Sequence, residues 1–328
     1  MKIELHSHFL PRDCYDMVDS KGHYYGHTLE DPDPNNRHHK NNILSGVTLE
    51  RMSDPKVRIQ EMNKISMDIQ VISVAPPNIN YGLDPDLGLS HAKKYNDGIA
   101  EVVRAYPDRF LGLSTLPMQD IPKALKELDR TINQMGFKGI EILTDINGKN
   151  LDDPDLWPIF QRAQEMDILI YVHPTSYPRD PKMKSWVPVL VENPFNTSMA
   201  ISSLIFGGVM EKFPKLKFQF SHTGGFAPYL RGRWEHGYLV WPDCKNIPKP
   251  PSEYFKLFYF DTIAHYDPAL AFLVDTVGAN KVVMGSDYPY VMGDLNPIAT
   301  VRNAGGISAA DKAQILERTA VELLKLKI

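Results

Sequence analysis

The chain has 328 residues, a formal net charge of −4, 43% hydrophobic and 23% charged residues. That is the composition of a soluble globular protein with a sizeable core, and without a run of Lys or Arg neither nucleic acid nor an anionic membrane is expected as a partner. Cys14 and Cys244 lie far apart with no CxxC pair, which excludes a disulfide scaffold and a cysteine zinc site and fits a reducing compartment.

The N-terminus is polar and charged within its first eight residues, and no stretch approaches ~18 apolar residues. Neither a signal peptide nor a membrane span is therefore expected, and the cytoplasm is the expected compartment.

Apolar, β-branched runs of strand length are predicted at 2–8, 68–75, 109–116, 137–144, 168–174, 215–222, 257–262 and 281–287. Several are apolar almost throughout, as parallel strands covered on both faces are. Helical periodicity fills the intervals at 55–66, 90–106, 120–135 and 308–327, and Asp54-Pro55 supplies an N-cap followed by proline at the first helical position. This alternation predicts an α/β fold, a (β/α)₈ TIM-like barrel rather than a doubly wound sheet. No repeat or low-complexity linker divides the chain, so one domain over 1–328 is expected. Residues 9–53 break the rhythm and read as an insertion or lid after strand 1, over the barrel mouth. The histidines within it, His23, His27, His38 and His39, read as solvated loop side chains.

Polar residues close otherwise apolar strands at several places. Strand 1 carries His6-Ser7-His8, whose two imidazoles share one side of an extended strand. Strand 5 ends in Val172-His173-Pro174, strand 6 in Ser221-His222-Thr223-Gly224-Gly225, and strand 8 in Gly285-Ser286-Asp287-Tyr288-Pro289. Catalytic groups of a barrel come from such strand ends. His6, His8, His173 and Asp287 would form an open shell of three nitrogens and one oxygen. It suits one divalent metal, Zn²⁺ first, with Mn²⁺ or another transition ion as alternatives.

With those residues in place, the chain resembles the amidohydrolase superfamily and, within it, the decarboxylases grouped around 2-amino-3-carboxymuconate 6-semialdehyde decarboxylase. The similar stretches are HSHFLPR at 6–12, DPKVRIQEM at 54–62, HP at 173–174, MKSW at 183–186, SHTGG at 221–225, PPSEYF at 250–255 and MGSDYPYVMGD at 284–294. The resemblance implies that His6, His8, His173 and Asp287 hold one catalytic metal, usually zinc, and that His222 serves as acid/base. It places Arg233 as a clamp for a substrate carboxylate, reaching in from a neighbouring subunit, and Trp186 as a wall of the site. A homodimer is implied with it. The pattern departs in the lid, where 41–46 contains no arginine in the place of a second carboxylate-binding one. Arg51 stands nearby as a substitute, and Lys40 corresponds to a lid lysine. Strand 4 ends Ile140-Glu141-Ile142-Leu143-Thr144 and the first lysine after it is Lys149, so a carboxylated-lysine bridge between two metals is not expected.

The expected activity is non-oxidative decarboxylation of a small unsaturated or aromatic carboxylate of the carboxymuconate semialdehyde or hydroxy- or aminobenzoate type, without an organic cofactor. His222 and Asp287 are its expected catalytic residues, with Arg233, Trp186, Lys40 and Arg51 as substrate contacts. The alternative is a hydrolase or hydratase using the same ion on an amide, lactone or unsaturated acid.

Overall fold

The computed structural model describes residues 1–14, 49–175, 184 and 186–327. The expected insertion is seen only at its two ends, and Lys40 lies outside the described residues, as do His23, His27, His38 and His39. Seven parallel strands form one sheet in the order β1-β2-β3-β4-β7-β8-β9. They are β1 (Ile3–Phe9), β2 (Ile69–Val74), β3 (Phe110–Thr115), β4 (Gly139–Leu143), β7 (Leu169–His173), β8 (Lys217–Phe220) and β9 (Tyr259–Phe260). Between β4 and β7 the short strands β5 (Asp145–Ile146) and β6 (Lys149–Asn150) make a separate antiparallel hairpin.

The expected eighth strand at 281–287 is not a continuous strand. It meets both edges of the sheet through isolated bridges, Phe260 to Val282 on one side and Glu4 to Met284 and Ser7 to Tyr288 on the other. Leu5 N donates to Met284 O at 2.8 Å and Val283 N to Phe260 O at 2.8 Å. The first and last strands are thus tied together through 282–288. The departure from strand geometry has a local cause. Ser286 N and Asp287 N both turn back onto His6 O, and Asp287 takes a left-handed φ of 59°.

Helices cover the outer face and begin as the sequence signals. Asp54 caps Pro55–Lys64, accepting from Lys56 N at 2.8 Å. Asp120 caps Ile121–Met135, which stops at Gly136 with φ 73°, the left-handed terminus that glycine supplies cheaply. Buried side chains fall into two clusters. The larger one lies between helices and sheet. The smaller gathers Ile3, Leu5, Val71, Leu113, Leu169 and Tyr171 with Leu323 and Leu324 of the C-terminal helix. That helix, Thr319–Leu324, packs on β1 and closes the end of the sheet where strands begin. Chemistry is left to the opposite end.

Candidate metal centre

β1 does not run evenly against β2. Ile3 faces Ile69 and Glu4 faces Gln70, but the next pairing is Ser7 with Ile72, so β1 carries one extra residue there. Such a bulge reverses the side-chain alternation. Leu5 can then share the small inner cluster with Tyr171 while His6, the next residue, also faces inward, its ring 5.2 Å from that of Tyr171. His8 follows on the same side, with its ring 5.0 Å from that of His6.

The other components arrive from strand ends. His173 closes β7, its ring 5.1 Å from that of His6 and 4.9 Å from that of His8. Asp287 comes from the bridging segment, directly after a close approach: a Cβ on Gly285 would lie 2.9 Å from the Cβ atoms of both His6 and Asp261. His222 and Thr223 follow β8 with left-handed φ values of 51° and 55°. The turn can form because Gly225, at φ +63°, has no side chain; a Cβ there would fall 2.1 Å from Pro194 O. Three site residues therefore hold a backbone conformation that L-residues seldom adopt, a strain that persists only where the surroundings enforce it.

His6 Nε2, His8 Nε2 and Asp287 Oδ1 form a triangle with sides of 3.2, 3.3 and 3.0 Å. Ligands at roughly 2.0–2.1 Å around a tetrahedral ion are separated by about 3.3 Å, so these three atoms already have the spacing of ligands. His6, His173, His222 and Asp287 each offer an atom within 4.8 Å of the others. His222 Nε2 approaches the second oxygen of Asp287 at 3.6 Å, and its side chain is 20% exposed where those of His6 and His8 are fully buried.

Hydrogen bonds on the far ring nitrogens orient the imidazoles. His6 Nδ1 lies 2.6 Å from Asp261 Oδ2 and His173 Nδ1 lies 2.6 Å from Pro174 O. Both acceptors require the proton on Nδ1, which leaves the Nε2 lone pairs turned inward. His173 Nε2 is buried and meets no hydrogen-bond donor among the described residues.

The electrostatics agree with that arrangement. Burial pushes the His8 imidazole down to about 4, against the pull of Asp287. Burial also holds His173 well below the ordinary histidine range, helped by the neighbouring His8, His222 and His6. Both are neutral donors at pH 7. Burial opposes the charge on His6, but the hydrogen bonds to Asp261 and Asp287 outweigh it and push His6 up to about 10. Burial likewise opposes ionisation of Asp287, and the His222, His6 and His8 contacts overcome it, keeping the carboxyl well below its usual range. A buried carboxylate, two neutral imidazoles and a third imidazole that holds a proton only because anions surround it fit a divalent cation. A cation can take the place of that proton.

The other expected residues lie outside the triangle of His6, His8 and Asp287. Arg51 pairs with Glu61 at 3.1 Å and lies over the Tyr288 ring at 5.1 Å. Arg233 is exposed on the helix Ala227–Val240, and Trp186 is 54% exposed.

Two contributors were missed in the sequence. Asp261, fully buried after β9, holds His6. It carries the same signal as the residues that were read, a polar residue closing the apolar run LFYF. Arg58, inside the DPKVRIQEM stretch, is fully buried and donates from Nη2 to His8 O. Nothing in helical periodicity marks a buried arginine, so only the stretch as a whole pointed to it.

Comparison with known proteins gives a consistent result. The profile of the amidohydrolase family matches residues 3–326. A 2-amino-3-carboxymuconate-6-semialdehyde decarboxylase of Dictyostelium discoideum is 38% identical, with 99% of this chain and 92% of that protein covered. A protein of the same name from Caenorhabditis elegans is 30% identical over 99% of this chain and 94% of its own length. Among solved structures, a 5-carboxyvanillate decarboxylase of Novosphingobium aromaticivorans with bound manganese superimposes with a TM-score of 0.81. It is 26% identical and covers 99% of this chain and 97% of its own.

Proposed function

Because this chain belongs to the amidohydrolase family, we propose that it is a metal-dependent decarboxylase of a small unsaturated or aromatic carboxylate. The observation that carries the reading is the triangle of His6 Nε2, His8 Nε2 and Asp287 Oδ1, with the unpartnered His173 Nε2 beside it. The names of the two curated relatives and the manganese-bound neighbour described above, each a decarboxylase, favour the reaction class.

In this reading the framework is the (β/α)₈ barrel with 282–288 as its eighth stave, a single domain. His6, His8, His173 and Asp287 hold one ion, Zn²⁺ or Mn²⁺. When bound, such an ion supplies a Lewis acid that orients and polarises substrate oxygen. The remaining work falls to the chain. His222 is the exposed member of the cluster, so it faces the side from which substrate enters, and its imidazole moves the proton that the carbon acquires as CO₂ departs. Asp287 keeps His222 in place through its second oxygen, at 3.6 Å. Buried walls exclude water from His6 and His8, so charge interactions there are stronger than in solvent.

Arg233 is the clamp for a substrate carboxylate and acts across a homodimer. The reading is supported by its exposure on a helix that also presents Tyr229 and Leu239 to solvent, beside exposed Phe195 and Met199. Arg51, Lys40 and Trp186 are the remaining proposed substrate contacts. The described helices include none long and apolar enough to cross a membrane, in keeping with a cytoplasmic enzyme on a small-molecule substrate.

The test is CO₂ release by zinc- and manganese-loaded protein across carboxymuconate semialdehydes, hydroxybenzoates and aminobenzoates, with Asp287→Ala as control. Metal-dependent CO₂ from one of them is expected. One tightly held ion per chain without CO₂ from any compound would transfer the assignment to a hydrolase or hydratase.

A further inference from the structure

Asp261 makes more contacts to the centre than its place just after a two-residue strand suggests. Its side chain is fully buried, and each carboxylate oxygen accepts two hydrogen bonds. Oδ2 receives His6 Nδ1 at 2.6 Å and His222 N at 2.8 Å. Oδ1 receives Thr223 N at 2.8 Å and Ile263 N at 3.0 Å. One group thus touches the ring of the first histidine and the backbone of the turn that carries His222. That turn is the strained one, with His222 and Thr223 both at positive φ.

We propose that Asp261 is the positioning residue of the centre, fixing the Nδ1–H form of His6 and the place of His222 through the same carboxylate. The proposal rests on reading His6 as a ligand and His222 as the acid/base, and it is independent of which carboxylate is the substrate.

Only a carboxylate can fill this role. Four donors converge on two oxygens, two on each. Asparagine offers one acceptor oxygen and one NH₂ group. With the NH₂ toward Oδ2's partners, it faces His6 Nδ1 and forces that nitrogen to accept, moving the proton to Nε2, where it blocks ligation. With the NH₂ toward Oδ1's partners, it opposes Thr223 N and Ile263 N and opens the turn under His222. Either choice damages one half of the site and spares the apolar core.

The experiment compares wild type with Asp261→Asn in ¹⁵N-labelled protein. In zinc-loaded wild type, a proton bonded to His6 Nδ1 is expected at low field and protected from exchange. Its absence overturns the proposal without need of any variant. In Asp261→Asn that signal should vanish or the ring resonances of His222 should shift, while those of His173, whose Nδ1 bonds to Pro174 O, stay in place. Zinc affinity should fall roughly 10–100-fold, as for other outer partners of ligating histidines, and kcat should fall with little change in KM. The metal-free variant should stay folded but with a lower thermal midpoint, because buried N–H groups lose an acceptor, so far-UV circular dichroism is recorded beside the titrations. A variant that keeps its His6 and His222 signals and its zinc affinity would show that Asp261 only packs. A lack of CO₂ from wild type would defeat the decarboxylase assignment and leave the spectra and zinc titrations to judge Asp261.

Discussion

The guanidinium of Arg58 donates from Nη2 to the carbonyl of His8, from the outer side of the strand whose inner side carries the His8 imidazole. It lies over the Tyr288 ring at 4.4 Å, reaches Gln70 Oε1 at 3.3 Å and Arg51 O at 3.3 Å, and is fully buried. Burial lowers its pKa to about 10, so it remains charged at neutral pH. Arg58→Ala would leave the His8 carbonyl and Gln70 without their donor. A loss of about 2–3 kcal/mol is expected, the scale for a hydrogen bond to a charged group in the interior, together with weaker metal binding. Denaturant unfolding and metal titration of the variant check both. An unchanged midpoint would mean that the surrounding groups find water instead.

His222→Asn keeps a polar side chain of similar reach but cannot carry a proton between substrate and solvent. The variant should retain its metal and lose at least ~10²-fold in turnover, the usual scale for a general acid/base. Metal content and initial rates are the measurements. Turnover near wild type would take His222 out of the reaction.

Metal uptake should release a proton. His6 without metal is pushed up to about 10 by Asp261 and Asp287 against its burial, so at pH 8, below that value, the ring is charged. An ion on Nε2 must displace that hydrogen, so about one proton per chain should appear on binding at pH 8. Calorimetric titration in two buffers of different ionisation enthalpy counts it. No proton release would show that His6 is already neutral, and that its contact with Asp261 is weaker than 2.6 Å implies. The same binding should raise the thermal midpoint, since an ion at about 100 times its dissociation constant adds roughly 2.7 kcal/mol to the folded state. A chelator should reverse it.

Arg233→Ala should raise KM for carboxylate substrates and leave metal content alone. If the side chain serves its neighbour's site, mixed dimers of this variant with a His222→Asn chain regain one working site in part. Mixed dimers that form without recovered activity would confine Arg233 to its own subunit or to no site at all.

The sequence signals differ in how much they carried. A polar residue closing an apolar strand marks a mouth-facing side chain, because nothing else makes a strand change character at its last position. That pattern marks His173, His222 and Asp287, and it is equally present at Asp261, where Leu257–Phe260 is the apolar run. His6 and His8 were placed on one side by alternation alone, and alternation does hold between them. The extra residue before Ser7 is invisible in the pattern, because Leu5 and His6 differ in chemistry and only the pairing with β2 shows that both face inward. The last stave reads as an ordinary strand because Val282–Met284 is apolar. Its backbone leaves strand geometry to reach His6 O, a tertiary demand that no local propensity records. The expected helix at 308–327 appears as Ala309–Ala313, a wider turn over Gln314–Arg318 and Thr319–Leu324, an irregularity below what periodicity resolves.

The bridges from Glu4 to Met284 and from Ser7 to Tyr288 join segments far apart in the chain, and this orders events during synthesis. At about 5–20 residues per second, His6 and His8 leave the ribosome long before Asp287 exists. Their strand has β2 to pair with early, but its other edge and the helix beneath it are made much later. The histidine pair must wait, half flanked, until residues 282–288 and Thr319–Leu324 have been made. An ion taken up before then would find histidines and no aspartate, so the complete shell is offered only once Asp287 has been made.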